Sequence, residues 1–378
     1  MSSEDLRIKE HDRDKKRPDV LLWLIPFLLN GLGILIITST TTPKIFGESG
    51  SPFWVGVKQF RWMGLGLMAF LVGWRVRPQT WLRSSGPLWV LSLMGVLATK
   101  LPGVGVTVGG ARRWIRLGGL SFQPGEVLYL FLTIHMVKML FKNDRDVVKS
   151  FLVTMALVVV SAVPLLAQPD LGTTILIYVT AMGLFVERHG WRLPLISGLF
   201  GGVLLVILIL VEPYRMRRIF AFVDPFRDPL DTGFQAIQGL IAFHNGGLWG
   251  TGLGHGFQKL QYLPAAYTDF VFAALGEEMG LVGTLGVLGA FWLWSTRIKR
   301  NYFMLEDDLL ASLLWGIGLT IVLPLLVNVA GVTKLMPLTG MPLPFMSYGG
   351  TSLVMMWFRL GVILGTVTWG SQAKRGLT

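Results

Sequence analysis

The sequence predicts an all-α membrane protein with about ten transmembrane helices and one long extracytoplasmic loop between the seventh and the eighth. Three observations predict it. Of 378 residues, 52% are hydrophobic and 15% charged, whereas a water-facing surface takes roughly 25% charged residues. Apolar runs close to the ~20 residues that cross a bilayer recur along nearly the whole chain. Between them lie short connections, and basic residues gather in every second one, which is how orientation in a membrane is set.

The expected helices fall near residues 19–40, 54–74, 86–101, 124–142, 150–168, 172–187, 192–211, 268–296, 309–331 and 350–370. The first follows a basic tail (Arg7, Lys9, Arg13, Lys15, Lys16, Arg17). Its apolar run is too long for the core of a cleaved signal peptide, so a retained span is expected. Arg75, Arg77 and Arg83 follow the second helix, Lys142, Arg145 and Lys149 the fourth, and Arg188 and Arg192 the sixth. Arg297, Lys299 and Arg300 follow the eighth, and Lys374 and Arg375 close the chain. Ten alternating helices put all these groups on one side. The expectation is one polytopic domain over 1–378 in an inner (cytoplasmic) membrane, with both termini cytoplasmic. Residues 1–18 form a cytoplasmic tail and 212–268 a large extracytoplasmic loop.

That loop holds an expected membrane-surface helix at Thr232–His244 and a glycine-rich stretch, GGLWGTGLGHG (246–256). A structureless connection of such length is uncommon and usually functional. A second outer segment, Leu101–Pro124, alternates Trp114, Ile115, Leu117 and Leu120 with arginines, as an interfacial segment with snorkelling side chains would.

The net charge of +12 raises nucleic acid as a partner, but the basic residues sit as topology signals, and membrane lipids are the expected contact. With no cysteine there is no disulfide or thiolate metal site, and the five histidines show no ligand spacing. GVGVTVGG (103–110) and GTGLGHG (250–256) look like phosphate-cradling loops, yet neither follows a strand nor carries the required lysine, so no nucleotide cofactor is expected.

Ionisable residues at membrane depth are costly and suggest function. Glu126 stands behind Pro124 at the start of the fourth helix, where a first-turn carboxylate also suits the helix dipole. Asp269 stands with Thr268 at the start of the eighth, where either could cap it. Glu277 and Glu278 lie about two turns deeper and read as a polar packing lock. Asp170 reads as the cap of the sixth helix. Arg215 and Arg218 open the long loop, where they could meet lipid headgroups or clamp a diphosphate. The polar stretches Gln123–Glu126, Gln168–Thr174, Thr268–Asp269 and Pro342–Ser352 all precede even-numbered helices, which alternation places on the outer face.

At these residues the sequence resembles the SEDS family (FtsW, RodA and SpoVE). The matching stretches are GARRWIRLGGLSFQPGE (110–126), QPDLGTT (168–174), YRMRRIFAFVDPFRDP (214–229), GFQAIQGLIAFHNGGLWGTGLGHGFQKLQYLP (233–264), TDFVFAALGEEMGLVG (268–283) and GMPLPFMSYGGTSL (340–353). IAFHNGGL and GLGHGFQKLQYLP are closer to FtsW and SpoVE than to RodA. The resemblance covers about residues 20–370. It implies a ten-helix polymerase of peptidoglycan strands that uses lipid II and works with a class B penicillin-binding transpeptidase. It further implies that Asp269 is catalytic and Glu126 functionally important, and it places Trp114, Arg215, Arg218 and Ser347 within family motifs. The chain departs from the pattern where Tyr129 replaces a lysine one turn after Glu126, which removes a charge partner for it. A second departure is Pro264, Ala265, Ala266 and Tyr267, where the family reads Pro-Glu-x-His.

The chemistry fits such a reading. A lipid diphosphate leaving group needs charge stabilisation more than protonation, from arginine or from a divalent cation such as Mg²⁺. Asp269 is then expected as general base or metal ligand, Glu126 as support, and Arg215 with Arg218 as diphosphate contacts. A lipid II transporter is the alternative, with Glu277, Glu278 and Arg359 as an intramembrane path. A scaffold for the transpeptidase is a third.

Overall fold

The computed structural model describes residues 19–46, 54–108, 111–117, 120–257 and 266–373. The basic tail, Pro264, Ala265, Lys374 and Arg375 lie outside these. The described residues form twelve α-helices: α1 (Leu21–Phe46), α2 (Trp54–Arg75), α3 (Pro78–Ala98), α4 (Pro124–Lys142), α5 (Val147–Ala167), α6 (Leu171–His189), α7 (Arg192–Val211), α8 (Pro213–Val223), α9 (Phe234–Gly246), α10 (Val271–Met304), α11 (Asp308–Val332) and α12 (Gly350–Ala373). Eight are both long and apolar enough to cross a membrane. α2 and α3 match them in length but interrupt their apolar runs with Lys58, Gln59 and Arg61, and with Gln79, Arg83, Ser84 and Ser85.

Helix starts follow local chemistry. Pro78 and Pro124 open α3 and α4, where a missing N–H costs nothing. The carboxylates of Asp146, Asp170 and Asp307 accept from free amides at the starts of α5, α6 and α11. Two boundaries differ from expectation. α3 begins at Pro78 rather than 86, because the proline lets the polar turn QTWLRSS enter the helix. α10 runs on to Met304, so Arg297, Lys299 and Arg300 occupy its last turns instead of a connection.

The all-α expectation holds for the described spans, and one small sheet lies outside them. Between α3 and α4 the chain forms an antiparallel sheet of β1 (Gly105–Val108), β2 (Ala111–Leu117) and β3 (Leu120–Phe122), in that order. Trp114 pairs with Val106, and Ile115 with both Gly105 and Phe122. Arg112 with Arg113 and Trp114 with Ile115 are adjacent like residues, so no strict two-residue period marks the segment as a strand; pairing with β1 and β3 does.

α4, α11 and α12 are the most buried spans and form the centre. α12 lies directly on α2, where small residues let the backbones meet: a Cβ on Gly361 would stand 2.2 Å from the Phe70 carbonyl oxygen. Trp357 fills the joint, edge-on to Phe27, Phe70 and Phe345. At the other extreme Pro194 is the sole buried residue of α7, whose Phe200 is 74% exposed. Such an apolar, outward-facing helix suits contact with lipid.

α10 is broken at Gly280, whose φ of 65° and ψ of −163° are open essentially only to glycine. A break inside a membrane leaves backbone groups that must be satisfied within the protein. The glycine-rich stretch after α9 does this. Gly247 and Leu248 accept from the amides of Leu281 (2.9 Å) and Val282 (3.2 Å), while Thr251 and Gly252 donate to the carbonyls of Glu277 (2.9 Å) and Glu278 (3.0 Å). Glu277 accepts from the Phe257 amide at 2.9 Å and from Asn245 at 3.3 Å, and Glu278 takes the Ser39 hydroxyl of α1. The two buried glutamates thus lock α1, α9 and this loop around the break.

Candidate functional site

The four polar stretches that precede α4, α6, α10 and α12 meet at one end of the bundle. The Gln123 amide donates to the Thr351 hydroxyl at 3.2 Å, and Thr351 donates on to the Ser121 carbonyl at 3.0 Å, which joins the starts of α4 and α12. A Cβ added to Gly172 would touch Met341, so the start of α6 lies against the segment between α11 and α12. That segment is tied to the start of α10. Ser347 donates to the Thr268 carbonyl at 2.5 Å and accepts from the Leu343 amide at 2.7 Å, and the Tyr348 amide donates to the Tyr267 carbonyl at 2.8 Å. Ser347 is therefore a strut of the site, with both roles of its hydroxyl engaged.

Asp269 sits at this junction, one residue ahead of the Phe270 cap position of α10. No side chain caps this helix, so the capping reading does not hold. The backbone of Asp269 is fixed: Asn328 on α11 donates to its carbonyl at 2.8 Å and to that of Met341 at 2.6 Å. Its carboxylate has no hydrogen-bond or ion-pair partner among the described residues. A Cβ on Gly340 would come within 3.3 Å of Oδ2, so a larger residue there would crowd the carboxylate. Burial pushes the Asp269 carboxyl up to about 6, against the opposing charges of Arg218 and then Arg113.

Arg113 leaves β2, in the sheet that also carries the half-buried Trp114. It donates to the carbonyls of Gln168 (3.1 Å) and Pro169 and stands 3.6 Å from the buried Asp170. Asp170 also caps α6 through Thr173, as expected. Sequence reasoning missed Arg113 because it looked like one more snorkelling arginine.

The two arginines expected as a diphosphate clamp part company. Arg215 turns back to the end of α7 and donates to the Leu208 carbonyl at 2.7 Å, satisfying a free helix-terminal group. Arg218, one turn on, faces the other way. It donates to the Leu338 carbonyl at 2.7 Å and to the Tyr214 hydroxyl, with its guanidinium over the Tyr214 ring. It lines a cavity of about 390 Å³ together with Arg217, Asp231, Gln235 and Lys334. So the structure brings Arg217 and Lys334, unremarked in the sequence, to the place where Arg215 was expected.

Glu126 lies in the first turn of α4 and has a partner after all. Arg359, fully buried on α12, donates to Oε2 at 2.9 Å and to the Glu126 carbonyl at 3.1 Å. This corrects the expectation drawn from Tyr129. The two residues are 233 positions apart, beyond any local reading.

The site is thus a polar cluster at one end of a multi-helical membrane bundle, with the partly exposed Asp269 carboxylate uncommitted among the described residues and Arg218 and Arg113 acting on it. The chain belongs to the FtsW/RodA/SpoVE family of cell cycle proteins, whose pattern matches residues 19–369. It is 35% identical over 354 residues to "Probable peptidoglycan glycosyltransferase FtsW" of Idiomarina loihiensis, covering 92% of this chain and 86% of that protein. Its identity to the protein of the same description in Nitrosomonas europaea is 36% over 370 residues, with 94% of each covered. Among solved structures it resembles a chain of a peptidoglycan synthase complex that coordinates polymerization and crosslinking. That match has a TM-score of 0.77 and 28% identity, and covers 93% of this chain and 98% of that one. Rod shape determining protein RodA of Thermus thermophilus matches with a TM-score of 0.68 and 25% identity, over 93% and 97%.

Proposed function

We propose that the protein is a peptidoglycan glycosyltransferase that polymerises lipid II at the outer face of the cytoplasmic membrane. It crosses that membrane ten times, α2 and α3 included, with both termini cytoplasmic and 212–268 outside. The observation that carries this reading is Asp269: a carboxylate at the end of the bundle where the four polar stretches meet, held through its backbone by Asn328, and left with no hydrogen-bond or ion-pair partner of its own among the described residues.

A carboxyl with pKa about 6 is a competent base near neutral pH. The acceptor hydroxyl gives its proton to Asp269 as its oxygen bonds to the anomeric carbon of the donor. The bond from that carbon to the lipid diphosphate breaks on the opposite face, and the diphosphate leaves with the electron pair. Arg218, with Arg217 and Lys334 along the cavity, stabilises the charge that develops there. Glu126 supports the site from α4, and Trp114 on β2 lies where it can meet substrate. Arg215 and Ser347 serve by holding backbone.

Among the described residues no three acidic or histidine side chains cluster around a metal position. Mg²⁺, however, is often held by one or two carboxylates and the substrate's own phosphates, and the partner-free Asp269 fits that mode. Bound there, such a cation would supply further charge stabilisation to the diphosphate.

A class B penicillin-binding transpeptidase is the fitting partner, since new strands must be cross-linked. Against a lipid II transporter, Glu277, Glu278 and Arg359 are each engaged locally, in the α10 break and with Glu126, rather than along one path. The test is purified protein in nanodiscs with lipid II, with and without the coexpressed transpeptidase. The expected result is glycan strands and copurification of the pair. Movement of lipid II across liposomes by protein that makes no glycan in either state would overturn the reading.

A further inference from the structure

The pairing of Glu126 is asymmetric. Arg359 is 0% exposed, while the Glu126 side chain is 15% exposed and its Oε1 has no partner among the described residues. A mere packing lock would bury and satisfy both members. Here the cation is hidden and one oxygen of a partly exposed carboxylate is left unbonded among the described residues.

Arg359 is also an expensive residue to keep. It lies nine residues inside α12, about 13 Å along the helix, and its Nε has no hydrogen-bond partner. Its Nη1 reaches only the sulfur of Met356, at 3.5 Å. Buried charges at such depth are retained for a purpose.

Tyr129 completes the arrangement. Its ring lies under the Arg359 guanidinium, 5.3 Å from Cζ to centroid, and its hydroxyl is bonded to Thr180 of α6 at 2.7 Å. The ring is thereby fixed between α4, α6 and α12. Tyr129 stands where the resemblance implies a lysine, so the cation that faces Glu126 comes from α12 instead of α4.

We infer that Arg359 is a positioning residue for the glycosyl transfer: it acts through Glu126, holding that carboxylate by Oε2 and leaving Oε1 uncommitted, in the role a lysine at 129 would otherwise fill. The inference rests on the reading of Glu126 as a supporting residue of the polymerase.

Polymerisation of lipid II decides it, with kcat and KM separated and the thermal midpoint of each variant recorded in detergent. Arg359→Met is expected to lower kcat at least ~10-fold while KM stays within about twofold. Adding Tyr129→Lys is expected to restore kcat to within about threefold, because a lysine three residues on from Glu126 reaches it on the same helix face. In a Glu126→Gln background, Arg359→Met is expected to change kcat less than about twofold, as residues acting as one unit are not additive. The double variant buries neither charge, while Glu126→Gln alone keeps the buried guanidinium without its carboxylate, so the comparison is made on monodisperse protein at matched folded fraction, and it decides the matter even if Arg359→Met alone does not fold. A further ~10-fold loss in that background would show that Arg359 acts other than through Glu126 and would overturn the inference. So would wild-type kcat in Arg359→Met, or a monodisperse Tyr129→Lys/Arg359→Met variant that remains inactive. Full activity in Glu126→Gln would overturn both the inference and the support by Glu126, while wild-type polymerisation stood untouched.

Discussion

Replacing Asp269 by asparagine separates its possible roles with one substitution, because shape is kept while the basic oxygen is lost. The folded protein disfavours the ionised form, raising the carboxyl from 3.8 to about 6. At ~1.4 kcal/mol for each tenfold, that rise corresponds to about 3 kcal/mol against the charge. Asp269 is partly exposed, and solvent screening reduces this to roughly 1 kcal/mol. The Asp269→Asn variant should therefore be slightly more stable than wild type at pH 8, with a thermal midpoint higher by about 1–2 °C. The sign follows from linkage: the cost of ionisation is complete above pH 6, fades as the folded carboxyl takes up its proton below 6, and is gone near 3.8. The stability gain of the variant should vanish over the same window. Activity should move the opposite way, falling ~10²-fold or more as a base is lost. The assay is lipid II polymerisation by monodisperse wild type and variant, beside thermal unfolding at pH 8 and pH 5. A variant that polymerises at the wild-type rate would remove Asp269 from the chemistry. A variant destabilised at pH 8 would refute the claim that its charge is held there at a cost.

Wild-type polymerisation should lose rate as pH falls through about 6, and Arg218→Met should move that acid limb to higher pH, because the arginine opposes the rise at Asp269; an unmoved limb in a pH–rate profile would disconnect the two. Gly280→Ala should cost at least about 2 kcal/mol, seen as a lower thermal midpoint, since its φ is 65° and a Cβ would lie 2.4 Å from the Gly250 amide nitrogen; unchanged stability would show that the loop does not dock on the break. Cysteines placed at Arg145 and Leu253 should be labelled in intact cells by an impermeant thiol reagent only at 253. Labelling at 145 alone would reverse the orientation.

The helical membrane character was legible because lipid imposes it along each segment separately: a span must be apolar over its own length and satisfy its own backbone. The meeting of the stretches around Glu126, Asp170, Asp269 and Ser347 was also legible, since alternation puts the starts of even-numbered helices on one side. Local rules likewise sufficed for Asp170, whose partners lie three residues away. The mix of apolar and basic residues at 111–117 reads in the sequence as an interfacial segment, because it has no strict two-residue period and only pairing with β1 and β3 makes a strand of it. Which way an arginine turns is not written locally at all. Arg215 and Arg218 lie one turn apart in the same basic run, yet one closes α7 and the other reaches Leu338 between α11 and α12. Only the packed bundle could pair Glu126 with Arg359, because the two are brought together by the contact of α4 with α12 and not by any spacing along the chain. The glycines at 246–252 show the same limit. Composition marked them as unusual, but their purpose, satisfying the backbone opened at Gly280, exists only once α10 is broken beside them.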